Sequence, residues 1–282
     1  MRFKKVVIIG MGLIGGSIGK ALIEKGLAHE VVGVCRRRSS LDRAIKEKSL
    51  TKGFVNSYEE ALPGAQIIII ATPVHTIKEV LDNLAGSLKD KGVLVTDVGS
   101  TKKEIVEYAA KYRDKFVFLG SHPLAGSEQK GVESSSHDLF RDSVCVVTPG
   151  GDDAGEEGKK KLKGFWEALG ATVVEATPAK HDEMLAFSSH LPHIVAFALA
   201  GILDDGFSKE MFAAGFKDTT RIASSDALLW SDIFLSNREN VLEALARYKK
   251  VLAGIEDDIR SGRKKELEKK LENYKKLRDE IV

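Results

Sequence analysis

A glycine motif directly after a short apolar run is the feature that most constrains the fold of this chain. Residues 6–9 are all apolar and are followed by Gly-Met-Gly-Leu-Ile-Gly at 10–15. A continuous apolar run is typical of a parallel strand buried on both faces. Glycines at this spacing permit a tight turn and let a phosphate approach the N-terminus of the next helix. We therefore predict a dinucleotide site that includes Gly10, Gly12, Leu13, Ile14 and Gly15.

Apolar strands and amphipathic helices alternate along the first part of the chain. We predict strands at 6–9, 31–35, 67–71, 93–96, 116–119, 144–148 and 172–175. Such alternation is typical of a parallel sheet with helices on both faces. After Pro178 only helical patterns appear. The sequence thus predicts an α/β protein, with a Rossmann-type doubly wound, mostly parallel sheet at 1–176 and an all-helical domain at 177–282.

The composition limits the classes of partner. Of 282 residues, 43% are hydrophobic and 30% are charged, and the formal net charge is +2. These values are typical of a soluble globular protein and give no general electrostatic reason to expect nucleic-acid or membrane binding. Cys35 and Cys145 lack the spacing of metal ligands, and no apolar run reaches the roughly 20 residues that span a bilayer. We expect a cytoplasmic protein without a metal ion.

The end of the second predicted strand bears on the choice of cofactor. NAD-binding folds usually carry an acid there for the ribose 2′-hydroxyl. This strand ends in Cys-Arg-Arg-Arg-Ser-Ser at 35–40, with no carboxylate before Asp42. Arg36, Arg37 and Ser39 can hold a 2′-phosphate through charge-assisted hydrogen bonds, although a solvated charged turn has the same composition. We favour NADP over NAD.

Three further segments follow predicted strands and are expected at the same sheet edge. Thr72 and Pro73 follow one strand, and Gly99 and Ser100 follow the next. Ligands of open parallel sheets bind outside the carboxyl ends of the strands, so these residues should line the nicotinamide pocket. His122 lies in the loop predicted after residues 116–119, between glycines and a proline that restrict the backbone. We expect it to act in catalysis.

Six ordered motifs carry a resemblance to a known family. They are Gly-Met-Gly-Leu-Ile-Gly-Gly-Ser at 10–17, Asp-Val-Gly-Ser at 97–100, Ser-His-Pro-Leu-Ala-Gly-Ser-Glu at 121–128, Ser-His-Leu-Pro-His at 189–193, Gly-Phe-Lys-Asp-Thr-Thr-Arg-Ile-Ala at 215–223 and Trp-Ser-Asp-Ile-Phe at 230–234. In these six motifs the chain resembles the prephenate and arogenate dehydrogenases of tyrosine biosynthesis. The resemblance implies oxidative decarboxylation of prephenate to 4-hydroxyphenylpyruvate with hydride transfer to NAD(P)⁺, and a dimer-forming helical domain. An arogenate-preferring or dual-substrate cyclohexadienyl dehydrogenase is the alternative.

The resemblance also implies roles for particular residues. His122 would accept the proton of the ring hydroxyl, and Ser100 would orient that base and the substrate. Arg221 would hold the ring carboxylate, because guanidinium binds carboxylate with two hydrogen bonds. His193 would lie near the side-chain carboxylate of the substrate, which favours prephenate over arogenate. Further substrate contacts would come from Ser189, Lys217 and Glu128.

Other interpretations stay open at several of these positions. His190 and Trp230 are interpreted first as packing residues, and Lys217 can be merely solvated. Arg221 can form an ordinary ion pair with Asp218 or Asp226. No role is assigned to His29, His75, His137 or His181. A β-hydroxyacid dehydrogenase, an imine reductase and a non-catalytic nucleotide sensor are the competing classes of protein.

The small-residue, strongly apolar stretch at 185–203 suits close packing of helices, within the chain or across a dimer. We expect a homodimer formed through the C-terminal helices, because homodimers are the commonest closed oligomers. We also expect a single activity without a dedicated tyrosine-sensing domain.

Overall fold

The computed structural model describes residues 2–90, 92–126, 129–149, 155–203 and 208–281. In this part of the chain one sheet of eight strands forms the centre of the N-terminal domain. The strands are β1 (Phe3–Ile9), β2 (Ala28–Cys35), β3 (Lys52–Val55), β4 (Ile67–Ile70), β5 (Leu94–Asp97), β6 (Val117–Pro123), β7 (Val144–Pro149) and β8 (Thr172–Glu175).

The strand order is β3-β2-β1-β4-β5-β6-β7-β8. All neighbouring strands are parallel except β6 and β7, which are antiparallel. The first six strands have the order of a dinucleotide-binding sheet, whose ligand lies where the order reverses, between β1 and β4. The predicted fold class, a Rossmann-type sheet followed by a helical domain, is confirmed.

Helices cover both faces of the sheet because successive residues of its strands point to opposite sides. In the N-terminal domain they are α1 (Leu13–Glu24), α2 (Arg38–Lys46), α3 (Tyr58–Ala61), α4 (Val74–Ser87), α5 (Lys103–Ala109) and α6 (Gly155–Leu169). On β1, Val6 and Ile8 pack in the core shared with α1 and α6. Val7 and Ile9 pack in the opposite core, with α4 and α5.

The part of the chain after β8 that the structure describes contains helices and no strands. They are α7 (Pro178–Leu185), α8 (Leu191–Gly201), α9 (Ala214–Thr220), α10 (Ala227–Ser236), α11 (Arg238–Arg260) and α12 (Lys264–Ile281). Residues Ala186–His190 form a π-helical turn that joins α7 to α8. Helix α7 packs against α5 and β7, and α10 packs against α4, so the two domains meet along the carboxyl side of the sheet.

One described helical stretch, Pro178–Gly201, has the length and composition of a membrane-spanning helix, with a mean hydropathy of 1.4. Its own buried residues include His181, Asp182 and His190. The polar atoms of these residues contact the rest of the chain, as described below. Much of the remaining apolar surface of this stretch is uncovered in a single chain.

Candidate active site

Side chains at Gly10 and Gly15 would clash with the protein backbone, whereas the turn is open beside Gly12. Gly10 has a φ of +95°, and a Cβ there would lie 2.5 Å from the carbonyl oxygen of Ala71. A Cβ on Gly15 would lie 2.0 Å from the carbonyl oxygen of Gly10, whereas a Cβ on Gly12 would meet no atom within 4 Å. Helix α1 begins at Leu13 without a side-chain cap, so its first N–H groups remain available. This cradle fits the pyrophosphate of a dinucleotide.

Three arginines follow β2 in sequence, and they differ in their ion-pair partners. Arg38 forms an ion pair with Asp42, with Nε and Oδ1 2.9 Å apart. Arg36 and Arg37 are exposed, and neither forms an ion pair with any described carboxylate. Helix α2 begins at Arg38, so Ser39 lies in its first turn. Two guanidinium groups and a helix start thus lie together beyond the end of β2.

The loops after β4 and β5 lie beside the glycine turn. Thr72 is close enough to Gly10 that a Cβ on that glycine would lie 2.9 Å from its methyl group. The Oγ1 atom of Thr72 is buried and has no hydrogen-bond partner in the described part of the chain. Pro73 precedes the first residue of α4, and Ser100 is half-buried. An unpartnered hydroxyl at this position fits a polar ligand atom.

A buried ion pair holds the loop after β5 against the neighbouring strand. Lys102 and Asp97 are both fully buried, and the Nζ atom of Lys102 donates hydrogen bonds to Asp97 and, at 2.8 Å, to the carbonyl oxygen of Ser121. Asp97 also accepts the N–H of Gly99 at 2.8 Å. Burial raises the pKa of Asp97 and lowers that of Lys102, against the attraction of the opposite charge. The sequence interpretation missed this pair, which joins the Ser100 loop to the residue before His122.

His122 lies within β6 and not in the loop predicted for it. The antiparallel partner β7 extends β6 to Pro123, and His122 pairs with Val146. Backbone hydrogen bonds of a sheet therefore fix its position. Burial, and then the charges of His181 and Lys102, lower the pKa of His122 well below its usual value. A neutral imidazole at this place can accept a proton.

His181, to which the sequence interpretation gave no role, contacts His122 directly. Its Nε2 lies 2.9 Å from the Nδ1 of His122, and its own Nδ1 lies 2.7 Å from Oδ1 of Asp182. Asp182 accepts the backbone N–H groups of Lys102 and Lys103 at 2.7 and 2.9 Å. The only sequence signal for this chain of contacts was a His-Asp pair in the first turns of the helix after the last strand.

His193 lies on α8 between a carbonyl group and an aromatic ring. Its Nδ1 donates to the backbone carbonyl of Ser189 at 2.9 Å, and its ring stacks on Trp230 with centroids 3.4 Å apart. Burial is the largest cause of its lowered pKa, and the positive charge of Arg221 lowers it further. Because a nearby charge is needed for that effect, His193 and Arg221 lie in the same part of the site. Ser189 contributes its carbonyl group here.

The remaining predicted substrate residues differ in what the structure says of them. Lys217 is exposed on α9, and Arg221 is exposed at the start of the next turn. Glu128 lies outside the described residues. Asp226, considered as a partner of Arg221, forms an ion pair with Lys130.

His190 is buried, accepts a hydrogen bond from Asn237 at 3.2 Å and has a pKa lowered to about 4, chiefly by burial. It also influences the pKa of His122, and His193 influences that of His190. These successive interactions place His122, His190, His193 and Arg221 in one cluster.

Helix α10 connects this cluster to the nucleotide domain. His75, another histidine without a predicted role, forms an ion pair of 2.5 Å with Asp232. Thr101 and Ser236 share a hydrogen bond of 3.1 Å, and Asp226 before the helix binds Lys130. The same helix carries Trp230. The loops beside the glycine turn and the support of His193 are therefore parts of one connected structure.

Taken together, a dinucleotide cradle, a neutral histidine on the same sheet and a second domain that supplies Arg221 define a two-domain oxidoreductase that uses a nicotinamide dinucleotide. Comparison with known families identifies it further. Residues 18–175 match the nucleotide-binding domain of prephenate dehydrogenase, and residues 177–273 match its dimerization domain. The chain belongs to the prephenate dehydrogenase family.

Relatives and solved structures agree with this assignment. The prephenate dehydrogenase of Lactococcus lactis is 36% identical, over 98% of this chain and 77% of that protein. The cyclohexadienyl dehydrogenase of Zymomonas mobilis is 31% identical, over 87% of this chain and 85% of that protein. The crystal structure of prephenate dehydrogenase from Aquifex aeolicus, in complex with hydroxyphenyl propionate and NAD⁺, has a TM-score of 0.90 and 32% identity, covering 100% of this chain and 99% of that one.

Proposed function

We propose that the protein is a prephenate dehydrogenase. It converts prephenate and NAD(P)⁺ to 4-hydroxyphenylpyruvate, carbon dioxide and NAD(P)H, and the reaction needs no further reactant. The observation that carries the proposal is the neutral imidazole of His122, held on β6 beside the Ser100 loop. Oxidation of a ring hydroxyl needs a base at the carbon that loses hydride. The family assignment supplies the substrate class.

His122 takes the hydroxyl proton as a hydride leaves the same ring carbon. A nicotinamide dinucleotide held by the glycine turn would supply the hydride acceptor. The ring carbonyl that results draws electrons from the bond to the ring carboxylate, which leaves as carbon dioxide. The electron pair of that bond makes the ring aromatic, and protonated His122 returns its proton to the ring oxygen. The residue thus ends the cycle neutral, as it began.

Ser100 and Arg221 have positioning roles in this scheme. Ser100 lies in the loop that the Lys102–Asp97 pair holds against β6, and its hydroxyl orients the ring hydroxyl toward His122. Arg221 binds the ring carboxylate, and its charge reaches His193. His193 and the Ser189 carbonyl that orients it lie toward the keto-acid side chain. Lys217 and Glu128 are proposed as further contacts with the substrate.

The preference for NADP rests on the two unpaired guanidinium groups after β2. A 2′-phosphate carries charge that Arg36 and Arg37 can neutralise, and α2 begins beside them. The double variant Arg36→Ala, Arg37→Ala is expected to lower kcat/KM for NADP at least tenfold while changing that for NAD less than about threefold, since a charge-assisted contact contributes roughly 1.5–3 kcal/mol. The control is Arg38→Ala, whose partner is Asp42. An unchanged NADP-to-NAD ratio in the double variant would refute the 2′-phosphate site.

One experiment tests the activity and the choice of substrate. The purified protein is mixed with prephenate or arogenate, each with NADP or NAD, and absorbance of the reduced cofactor is followed. Turnover with prephenate alone supports the proposal, whereas turnover with arogenate, alone or together with prephenate, supports the arogenate-preferring or dual-substrate cyclohexadienyl dehydrogenase, the class named for the Zymomonas relative. His122→Asn, which keeps a polar side chain in the sheet, should lower kcat by 10² or more. The proposal would be contradicted by a folded protein without turnover in any of the four mixtures, or by a His122→Asn variant with full turnover.

The assembly and location are proposed from the same family. The match to a dimerization domain and the uncovered apolar surface of Pro178–Gly201 support a homodimer formed through the C-terminal helices. We place the protein in the cytoplasm, because both of its cysteines are free and buried.

A further inference from the structure

Two side chains behind His122 join it in a single file of hydrogen bonds that begins at a carboxylate. Asp182 Oδ1 lies 2.7 Å from Nδ1 of His181, whose Nε2 lies 2.9 Å from Nδ1 of His122. His181 and Asp182 are almost fully buried, at 1% and 2% exposure. Each ring nitrogen in the file has one partner. Once the position of one proton is known, the donor and the acceptor of each hydrogen bond in the file follow.

The carboxylate places that proton. Asp182 accepts two backbone N–H groups, from Lys102 and Lys103, and a carboxylate engaged in this way acts only as an acceptor. A neutral His181 then carries its proton on Nδ1 and leaves Nε2 bare. The bare Nε2 can only accept, so His122 must donate from its own Nδ1. The lone pair of His122 is therefore on Nε2, which has no hydrogen-bond partner among the described residues.

We propose that His181 and Asp182 are positioning residues that fix His122 as the Nδ1–H tautomer, with Nε2 as the atom that takes the substrate proton. The inference deepens the proposed function and rests on it for the identity of the substrate. It assigns a role to two residues of the helical domain that act through His122 and not on the substrate. Without them, either nitrogen of His122 can carry the proton.

The file also supports the charged state of His122. When His122 gains a proton its Nδ1–H becomes a stronger donor, and His181 transmits the attraction of the Asp182 carboxylate. The groups that face the two rings are Lys102 from the loop after β5, His190 from the π-helical turn and Asp182 from α7. Lys102 and a protonated His190 oppose a charge on His122, so Asp182 is the one negative group among these neighbours.

The tautomer is measured directly by nitrogen NMR on the full chain labelled with ¹⁵N-histidine and without substrate. Free imidazoles favour a proton on Nε2, whereas both His122 and His181 should appear as Nδ1–H tautomers with unprotonated Nε2. The seven histidines are assigned by single variants, with His29→Asn as an exposed reference. Finding His122 with its proton on Nε2 would overturn the proposal. Because no substrate is used, this result is independent of the enzyme's activity.

Two substitutions at His181 separate positioning from folding. In His181→Gln the amide oxygen can reach the place of the imidazole Nε2 and accept from His122. In His181→Asn the shorter side chain can reach Asp182 but not His122. We expect kcat to fall roughly 100-fold in the Asn variant and less than about tenfold in the Gln variant, with KM for the substrate within about threefold in both.

Controls keep the outcome clear. His29→Asn should leave kcat and KM unchanged. Equal losses of kcat in the Gln and Asn variants, or losses that appear in KM instead of kcat, would show a merely structural role and overturn the proposal. If both variants fail to fold, the tautomer measurement on the unaltered protein still decides. If the unaltered protein turns over no cyclohexadienyl substrate, the proposed function fails while the tautomer result stands.

Discussion

Buried neutral histidines make the stability of this protein sensitive to acid. His190 has a pKa of about 4 because burial disfavours its charged form, while an unfolded histidine titrates near 6.5. Between these values the unfolded state binds more protons than the folded state. Acidification therefore favours unfolding, and the stability present above pH 6.5 is lost as the pH falls toward 4.

This loss can be measured by urea denaturation at a series of pH values. His190 should contribute roughly 3 kcal/mol to the fall in the free energy of unfolding between pH 6.5 and 4. His190→Gln removes the titrating group, so its curve should be flatter by about that amount, whatever its stability at pH 8. His29→Gln is the exposed control. Equal slopes for His190→Gln and the unaltered protein would show that His190 is not held neutral.

At the scale of single residues, the sequence could indicate candidates whose signal is local. The glycines at 10, 12 and 15 follow an apolar run at a fixed spacing, and His122 directly precedes a proline. His181 has no such surroundings. Its partner is 59 residues away and becomes a neighbour only because α7 packs across β7 and α5. The Lys102–Asp97 pair was missed for a related reason, since burial of a lysine depends on the whole fold.

At the scale of elements, the turn between β1 and α1 offers a matched pair of substitutions. In Gly15→Ala the new methyl group would overlap the carbonyl oxygen of Gly10, so the turn must shift. In Gly12→Ala it would meet no protein atom and would occupy the space assigned to the pyrophosphate. We expect the first change to lower stability by roughly 1–3 kcal/mol and the second to leave it nearly unchanged.

Cofactor affinity gives the second half of this test. Both variants should bind NAD(P)⁺ at least tenfold more weakly, measured by calorimetry, while thermal unfolding without cofactor separates them. A Gly12→Ala protein that is stable and binds cofactor normally would show that the pyrophosphate lies elsewhere. A Gly15→Ala protein with unchanged stability would show that the turn is more adaptable than its close contacts indicate.

The strands that the sequence predicted are those with continuous apolar runs. Strand β3 was missed because its four residues, Lys-Gly-Phe-Val, lie at the sheet edge and are not deeply buried. The extension of β6 to Pro123 was also missed. It depends on antiparallel pairing with β7, and a pairing partner 20 or more residues away leaves no mark on the local pattern. Periodicity reports burial, whereas pairing is decided by the tertiary fold.

At the scale of the whole molecule, several large apolar side chains of the C-terminal helices are exposed in a single chain. Large exposed side chains include Leu228, Leu235, Ile259, Leu271, Leu277 and Ile281. We interpret these exposed side chains as part of the proposed dimer interface. Light scattering coupled to gel filtration should give twice the chain mass of 30.8 kDa.

Glutamate substitutions on two surfaces test which helices form the interface. Leu235→Glu with Leu277→Glu should shift the dimer toward monomer at least tenfold in dissociation constant, since each buried leucine contributes roughly 1.5–3 kcal/mol. Lys163→Glu on the exposed side of α6 is the control and should leave the mass unchanged. A monomer from the unaltered chain, or a dimer equally stable in all three proteins, would contradict an interface on these helices.

The strand order sets a length as well as a topology. Arg36 and Arg37 follow β2, and His122 lies on β6, with β1, β4 and β5 between them. Four strand spacings put the two ends about 19 Å apart. The proposed 2′-phosphate site and the proposed base are therefore separated by the width of four strands. With these proposed roles, cofactor identity is read at one end and the proton is moved at the other, so one cofactor can be exchanged for the other without disturbing the base.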